Sequence, residues 1–473
     1  MHWLAIHLPR LPLEVFSRAA PDALPLAVSD VGGRRLLRCN RPALARGVRP
    51  GLSPAAARAL AADLRILARD PAAERAALEQ LAAWALQFSS RVSLESAGLL
   101  LEAAGSRRLF GGARALQRRV AAGLESLGYR AQLALAPTPL GASLLAAARH
   151  PAPVADAEAL RAALARLPLA ALVPEPRSLV LLQGFGLSCI GDLLRLPRAG
   201  LARRLGPALP ACLDRALGRA PDPRPDYRPP ARFRARLALP AEVSTAPGLL
   251  FPGRRLLLEL AGFLSARGLG AQALEWRLEH ESVPASRFSL GLLKPERDSA
   301  LLLELLRQRL ERLELAAPVF GIELRADLPQ PLAPRVNDLF AAPETEADPH
   351  WLERVQARIG RDGVRGIRLV ADHRPELAWA YCPPGSSAGE SRPARRPLWL
   401  LPRPQPLERR AGRPWYGGRL RLGPERERIH CGWWDGREVA RDYFEALGPG
   451  GERLWIYREL GAGGGWFLHG IFA

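Results

Sequence analysis

Apolar and polar positions along the chain follow two periods, and the switches between them mark its elements. Residues 2–8, His-Trp-Leu-Ala-Ile-His-Leu, form a short apolar run of the kind that makes a buried strand. Ser53-Pro54 opens an Ala-rich helix to about Ala62, because serine caps the first free N–H groups and proline suits the first helical position. Helical spacing returns at 73–88, 113–127 and 139–149, with strand-like runs at 99–103 and 131–136 between them. Strands alternating with helices predict an α/β or α+β unit over residues 1–165.

The pattern then changes. Residues 166–230 read as short helices punctuated by Pro174, Pro176, Gly184, Gly186, Pro197 and Gly206, followed by a Pro-rich extended linker at 221–230. In 231–326 the strand period returns at 233–239, at Leu274, Trp276 and Leu278, at Phe288, Leu290 and Leu292, and at Phe320, Ile322 and Leu324. Helical spacing occupies 253–267 and 299–313, so the order is β-α-β-β-α-β. Residues 327–350 are loop-like and Pro-rich, and 351–473 end in short strands with Gly-rich turns. The expected fold class is α+β multidomain with a C-terminal, mostly β extension.

Composition narrows the function. Lys+Arg is 67 against 47 for Asp+Glu, a net charge of +20, and Lys294 is the one lysine. A chain that is 48% hydrophobic buries large cores, which excludes global disorder. No uncharged apolar run reaches about 18 residues and the start lacks a secretory pattern, so no membrane partner is expected. The cysteines Cys39, Cys189, Cys212, Cys382 and Cys431 have neither CxxC nor zinc spacing, which fits a reducing cytoplasm. His7, His150, His430 and His469 form no metal constellation either. The excess charge points to a polyanion, or to coding bias toward arginine. Of the +20, +9 lies in 351–430, and eight of the eleven tryptophans lie beyond residue 350.

Several stretches, in order over 1–326, resemble the Y-family (translesion) DNA polymerases. Gly47–Gly51 followed by the Ala-rich helix is similar to their fingers segment. Residues 94–106, LESAGLLLEAAGS, resemble their second acidic motif, a Ser-Ile-Asp-Glu stretch. Residues 134–148 resemble the helix after the palm strand, and 182–194 (LQGFGLSCIGDLL) a thumb segment. The resemblance implies palm and fingers over 1–165, thumb and linker over 166–230, and little finger over 231–326. The tail carries Gly432-Trp433-Trp434-Asp435-Gly436 and Trp466-Phe467-Leu468-His469-Gly470. These resemble the C-terminal segment of the ImuB family, the inactive Y-family-like (UmuC-like) subunits of bacterial mutasomes.

The departures concern chemistry. Phosphoryl transfer by such a fold uses two divalent ions about 3.5–4 Å apart, held by carboxylates. His7 and Pro9 stand at the two acidic positions of the first strand, and Ala97 and Gly98 at the adjacent Asp-Glu of the second motif. Pro139 and Ser143 stand at the two usual lysine positions. Glu95 and Glu102 remain nearby, Glu95 on the wrong face if its segment is extended, and a rebuilt site from Glu14, Glu95 and Glu102 is an alternative. Val173-Pro174-Glu175 replaces the phosphate-binding hairpin of the thumb, with Gly184 and Gly186 as a substitute turn or an ordinary helix–helix turn. The expectation is no catalysis and no cofactor.

Residues 336–340, Val336-Asn337-Asp338-Leu339-Phe340, resemble the Gln-Leu-Asp-Leu-Phe peptides that bind bacterial sliding clamps, with valine in place of glutamine. Trp433, Trp434, Trp466 and Phe467 read as core, as a stacking platform for single-stranded bases, or as anchors for a partner protein. The resemblance implies four partners: primer-template DNA, the sliding clamp, a RecA-like ImuA-type subunit and an error-prone C-family polymerase. The function it implies is a non-catalytic translesion scaffold. An active Y-family polymerase with displaced metal ligands and a DNA-binding module unrelated to replication are the alternatives.

Overall fold

A computed structural model describes residues 2–19, 24–150, 152–173, 175–327, 329–332, 351–360, 363–384, 386, 396–461 and 464–472. They divide into two compact units, Met1–Arg358 and Ile359–Ala473. Among the described residues no helix is long and apolar enough to cross a membrane.

The first unit opens with β1 (Trp3–His7), α1 (Leu11–Ser17), β2 (Leu26–Ser29), β3 (Leu36–Cys39), α2 (Arg41–Ala45), α3 (Pro54–Leu60), β4 (Arg65–Ala68) and α4 (Pro71–Ala85). It continues through β5 (Val92–Glu95), β6 (Gly98–Glu102), α5 (Ala113–Ser126), β7 (Gln132–Ala136) and α6 (Pro139–Ala147). Four strands make an antiparallel sheet in the order β5-β6-β1-β7. β1 takes an inner place because both its faces are apolar. Leu4 and Ile6 pack with Leu99, Leu101 and the inner faces of α4 and α5. Trp3 and Ala5 pack with Leu100, Ala134 and the helices that follow on the other face. β2, β3 and β4 form a separate small sheet.

The strand expected at 99–103 is the second arm of a hairpin. β5 pairs with β6 through the two-residue turn Ser96-Ala97, and Glu95 lies opposite Gly98. The chain therefore reverses between 95 and 98, which corrects the extended reading of that stretch.

Helices α7 (Ala157–Ala165), α8 (Pro176–Gly184), α9 (Ile190–Leu193), α10 (Arg198–Leu205) and α11 (Ala208–Leu217) cover the Trp3 and Ala5 face. The extended connector after them is docked rather than loose. Tyr227 N–H donates to the Val92 carbonyl at 2.7 Å, and Arg224 pairs with Glu95 at 2.6 Å and Asp222 at 2.8 Å.

Then come β8 (Phe233–Val243), α12 (Leu250–Ser265), β9 (Leu269–His280), β10 (Ser286–Glu296), α13 (Ser299–Leu310), β11 (Val319–Ala326) and the short β12 (Gln330–Pro331). The sheet order is β10-β9-β11-β8, with α12 and α13 packed on the Trp276, Leu278 and Leu324 face. A register shift between Val319 and Gly321 turns Phe320 outward, away from the face that Ile322 and Leu324 share. α12 also meets the first sheet's helices: Glu259 pairs with Arg18 just past α1, both fully enclosed.

The second unit follows α14 (Trp351–Ile359). It holds the hairpin β13 (Gly366–Leu369) and β14 (Trp379–Cys382). It also holds a six-stranded antiparallel sheet of β15 (Trp399–Arg410), β16 (Arg413–Trp415), β17 (Arg421–Cys431), β18 (Val439–Leu447), β19 (Arg453–Glu459) and β20 (Trp466–Ile471). The order is β16-β15-β20-β19-β18-β17, with Tyr443, Trp455 and His469 stacked at its centre.

Candidate functional site

The sheet brings His7, Pro9, Ala97 and Gly98 together at one end. His7 lies opposite Gly98 on one side and Gln132 on the other, and Leu8 N–H donates to the Ala97 carbonyl at 2.8 Å. Gly98 is there because nothing larger fits. A Cβ at that position would overlap the Ile6 carbonyl oxygen and lie 2.9 Å from its carbon. An acidic side chain at 98 is therefore excluded by sterics as well as missing from the sequence. His7 is half-buried, and burial, then the neighbouring Arg38, lower its pKa, so the ring is neutral at pH 7. Arg38 Nε donates to the Pro9 carbonyl at 2.8 Å.

Pro139 starts α6, where Thr138 caps the Gly141 N–H, and it follows the end of β7 that lies beside Trp3. It is thus at the opposite end of the sheet from His7, and Ser143 is one turn further along the helix.

The three carboxylates considered for a rebuilt metal site do not meet. Glu95 stands in the hairpin near Gly98 and is held by Arg224; burial raises its pKa, Arg224 opposes and Asp222 adds to the rise. Glu102 lies opposite Trp3, four residues along β1 from His7, and accepts from the Ala104 N–H at 2.9 Å. Four strand residues span about 13 Å, several times the separation of paired catalytic metals. Glu14 is buried on α1 and accepts from the Arg130 N–H at 3.0 Å. Among the described residues, no group of three or more His, Cys, Asp or Glu converges to hold a metal.

What gathers beside His7 is positive. Arg10, Arg38, Arg130, Arg149 and His150 line a cleft of about 650 Å³ that no carboxylate lines. Guanidinium groups in this density suit phosphate oxygens, which they engage by paired hydrogen bonds. Sequence reasoning missed this cluster because its members come from four separate segments. The available signal was the arginines flanking β7 and α6, at 130 and 149.

In the helical module, Gly184 and Gly186 end α8. The N–H groups of Phe185, Gly186 and Leu187 bond to carbonyls of the last turn, so the turn is closed on itself. Asp192 accepts from the Ser188 and Cys189 N–H groups at 2.9 and 3.1 Å, which holds its carboxyl down at about 2. A phosphate finds occupied donors there.

The outer face of the β10-β9-β11-β8 sheet carries a lattice of arginines on two glutamates. Arg234, Arg277 and Arg325 converge on Glu323, and Arg236 and Arg277 on Glu279. The glutamates lie beneath and the guanidiniums stay partly exposed, so the face presents oriented cations.

The four aromatic positions of the tail separate. Trp466 is core, one of the readings open from the sequence, and Phe467 is half-buried against Tyr457. Trp433 and Trp434 are 73% and 60% exposed on a turn after β17. That turn is fixed from below by Arg374, which is 3% exposed and forks onto Asp372 and Asp435 at 2.7 Å each. Gly432, at φ 88°, lets the chain pass against Arg437 and Arg374 where a Cβ would clash. The peptide Val336 to Phe340 lies outside the described residues.

The impB/mucB/samB family matches residues 15–147. Protein ImuB from two strains of Caulobacter vibrioides is 32% identical over 464 residues, covering 90% of this chain and 100% of its own. Among solved structures, an insertion ternary complex of Dbh DNA polymerase aligns at 15% identity and a TM-score of 0.39, over 69% of this chain and 98% of its own. DinB from Sulfolobus solfataricus aligns at 15% identity and a TM-score of 0.37, over 70% and 100%.

Proposed function

The chain belongs to the ImuB family, and on that premise we propose that it is a non-catalytic scaffold for translesion synthesis in DNA-damage-induced mutagenesis. The observation that carries this reading is the end of β1. Where two-metal chemistry needs converging carboxylates, the chain has a neutral histidine, a proline, a glycine with no room for a side chain, and a cleft lined by four arginines. Such a cleft repels a divalent cation and attracts a phosphate.

In this reading the palm- and fingers-like segment (1–165), the thumb-like segment (166–230) and the little-finger-like segment (231–326) hold primer-template DNA. The arginine lattice over Glu323 and Glu279 supports the last of these. The linker 327–350 engages the sliding clamp, with Leu339 and Phe340 entering its apolar pocket and Val336, Asn337 and Asp338 lying alongside. The region 351–473 recruits the RecA-like ImuA-type subunit and the error-prone C-family polymerase, with Trp433 and Trp434 as exposed anchors. No cofactor takes part, and the setting is cytoplasmic. The physical gain is local concentration, since several weak contacts in series make a tight assembly.

The test uses the full chain and a version lacking residues 336–340, with clamp and primer-template affinities measured on both. Loss of about tenfold or more in clamp affinity with unchanged DNA affinity is expected; equal clamp affinity for the two proteins contradicts the reading.

A further inference from the structure

The cleft beside His7 does not stop there. Leu133 on β7 lines it, and also lines two adjoining clefts of about 520 and 570 Å³. The 570 Å³ cleft is walled by Arg114 and Arg118, one turn apart on α5. The result is a run of arginines, Arg38, Arg10, Arg130, Arg149, Arg118 and Arg114, along the β7 edge of the sheet. The acidic side chains facing it are Glu14 and Glu125, both at the 520 Å³ cleft.

Two features of this run are unfavourable to the protein alone. Arg114 and Arg118 are like charges at i,i+4 on an exposed helix face, an arrangement that weakens a helix. Arg149 occupies the position after the end of α6 with φ 58°, the left-handed conformation that glycine usually takes there. With its amide oxygen turned toward the guanidinium, Gln132 accepts from Arg149 Nε at 2.7 Å and Nη2 at 3.2 Å, which holds that side chain over the β7 edge. Strain and repulsion retained in one place mark a site with a ligand.

We propose that this edge is a second nucleic-acid track, which binds the sugar-phosphate backbone of a single strand apart from the primer-template grip. Its chemistry is that of phosphate contacts: guanidiniums, an apolar floor at Leu133, and, at the 650 and 570 Å³ clefts, no Phe, Tyr or Trp for base stacking, His150 being the one aromatic ring there. An acidic peptide fits less well, because the β7 edge is closed to strand addition. Gln117 donates to the Leu133 carbonyl at 3.1 Å and Val154 N–H to the Leu135 carbonyl at 2.8 Å. The track lies at the opposite edge of the sheet from β5, and its 520 Å³ cleft is also lined by Phe251 and Arg255 of α12. It stands whether or not the clamp and recruitment roles hold.

The test is fluorescence anisotropy of the full chain with a labelled single-stranded oligonucleotide, across a salt series, with a primer-template duplex and poly-glutamate as comparison probes. Arg114→Ala/Arg118→Ala, outside the cleft beside His7, is expected to weaken single-strand binding about fivefold at physiological salt and to flatten the salt slope by about 1.4. Duplex affinity stays within twofold and the thermal midpoint does not fall. Arg149→Gly alone separates ligand binding from stability: single-strand affinity drops while the midpoint rises, because glycine relieves the left-handed backbone. Unchanged single-strand affinity, a parallel loss of duplex binding, or poly-glutamate binding as tightly as the oligonucleotide overturns the proposal.

Discussion

At position 98 the backbone of β6 passes so close to Ile6 that the side-chain volume is zero. Gly98→Ala is therefore expected to destabilise the first unit by about 3 kcal/mol or more, by the overpacking that any Cβ brings there; chemical denaturation reads it. Glu14 makes a prediction in pH. Its carboxyl is 5% exposed, and burial pushes it from an ordinary 4.5 up to about 7, against the pull of the Arg130 N–H and of Arg10, Arg130 and Arg18. A carboxyl that ionises less readily in the folded chain lowers stability as pH rises. The loss begins near 4.5, is complete above about 7, and amounts to roughly 3 kcal/mol. Glu14→Gln keeps an acceptor for the Arg130 N–H, so its thermal midpoint should match the parent near pH 4 and exceed it near pH 8. That His7 and Pro9 meet Ala97 and Gly98 was legible at this scale because the two short stretches that carry them are neighbouring strand ends. The arginines beside them were not, because periodicity says nothing about which distant segments meet.

Elements were legible wherever one face is apolar. β1, α5, α12 and β9 fall where their spacing predicts. The misses are places where the backbone departs from its period. The Ser96-Ala97 turn reverses the strand before Gly98, and the bulge after Val319 sends Phe320 to the other face. The tail shows the same limit. Trp466 sits on a strand and is core, while Trp433 and Trp434 sit on a turn and are exposed, a difference that counting tryptophans does not reveal. That turn is displayed by Arg374 between Asp372 and Asp435, whose carboxyls it holds below their ordinary range. Arg374→Met leaves the two carboxylates facing each other. The expected result is a redistributed Trp433/Trp434 fluorescence and a loss of partner capture comparable to that of Trp433→Ala/Trp434→Ala, with the β-sheet circular dichroism retained. Partner capture equal to the parent's contradicts the role of the turn.

Across the whole chain, the first unit is one body because α12 is fastened to the opening sheet's helices. Arg18 and Glu259 are a fully enclosed ion pair between residues 241 positions apart. Removing one partner strands the other charge, so Glu259→Ala should cost about 3–5 kcal/mol, and equilibrium denaturation should then separate the 231–326 module from the rest. The net charge of +20 also has an address at this scale. Part of it lines the β7 edge and part covers the Glu323 lattice, while the +9 of residues 351–430 lies elsewhere. In the proposed scaffold reading, the arginines beside the end of β1 hold phosphates rather than activate them. The most direct check is single-nucleotide incorporation by the full chain on a primed template with Mg²⁺ or Mn²⁺. The account predicts no extension with either ion while the primer-template remains bound; template-directed extension that disappears in Glu95→Gln or Glu102→Ala would contradict it.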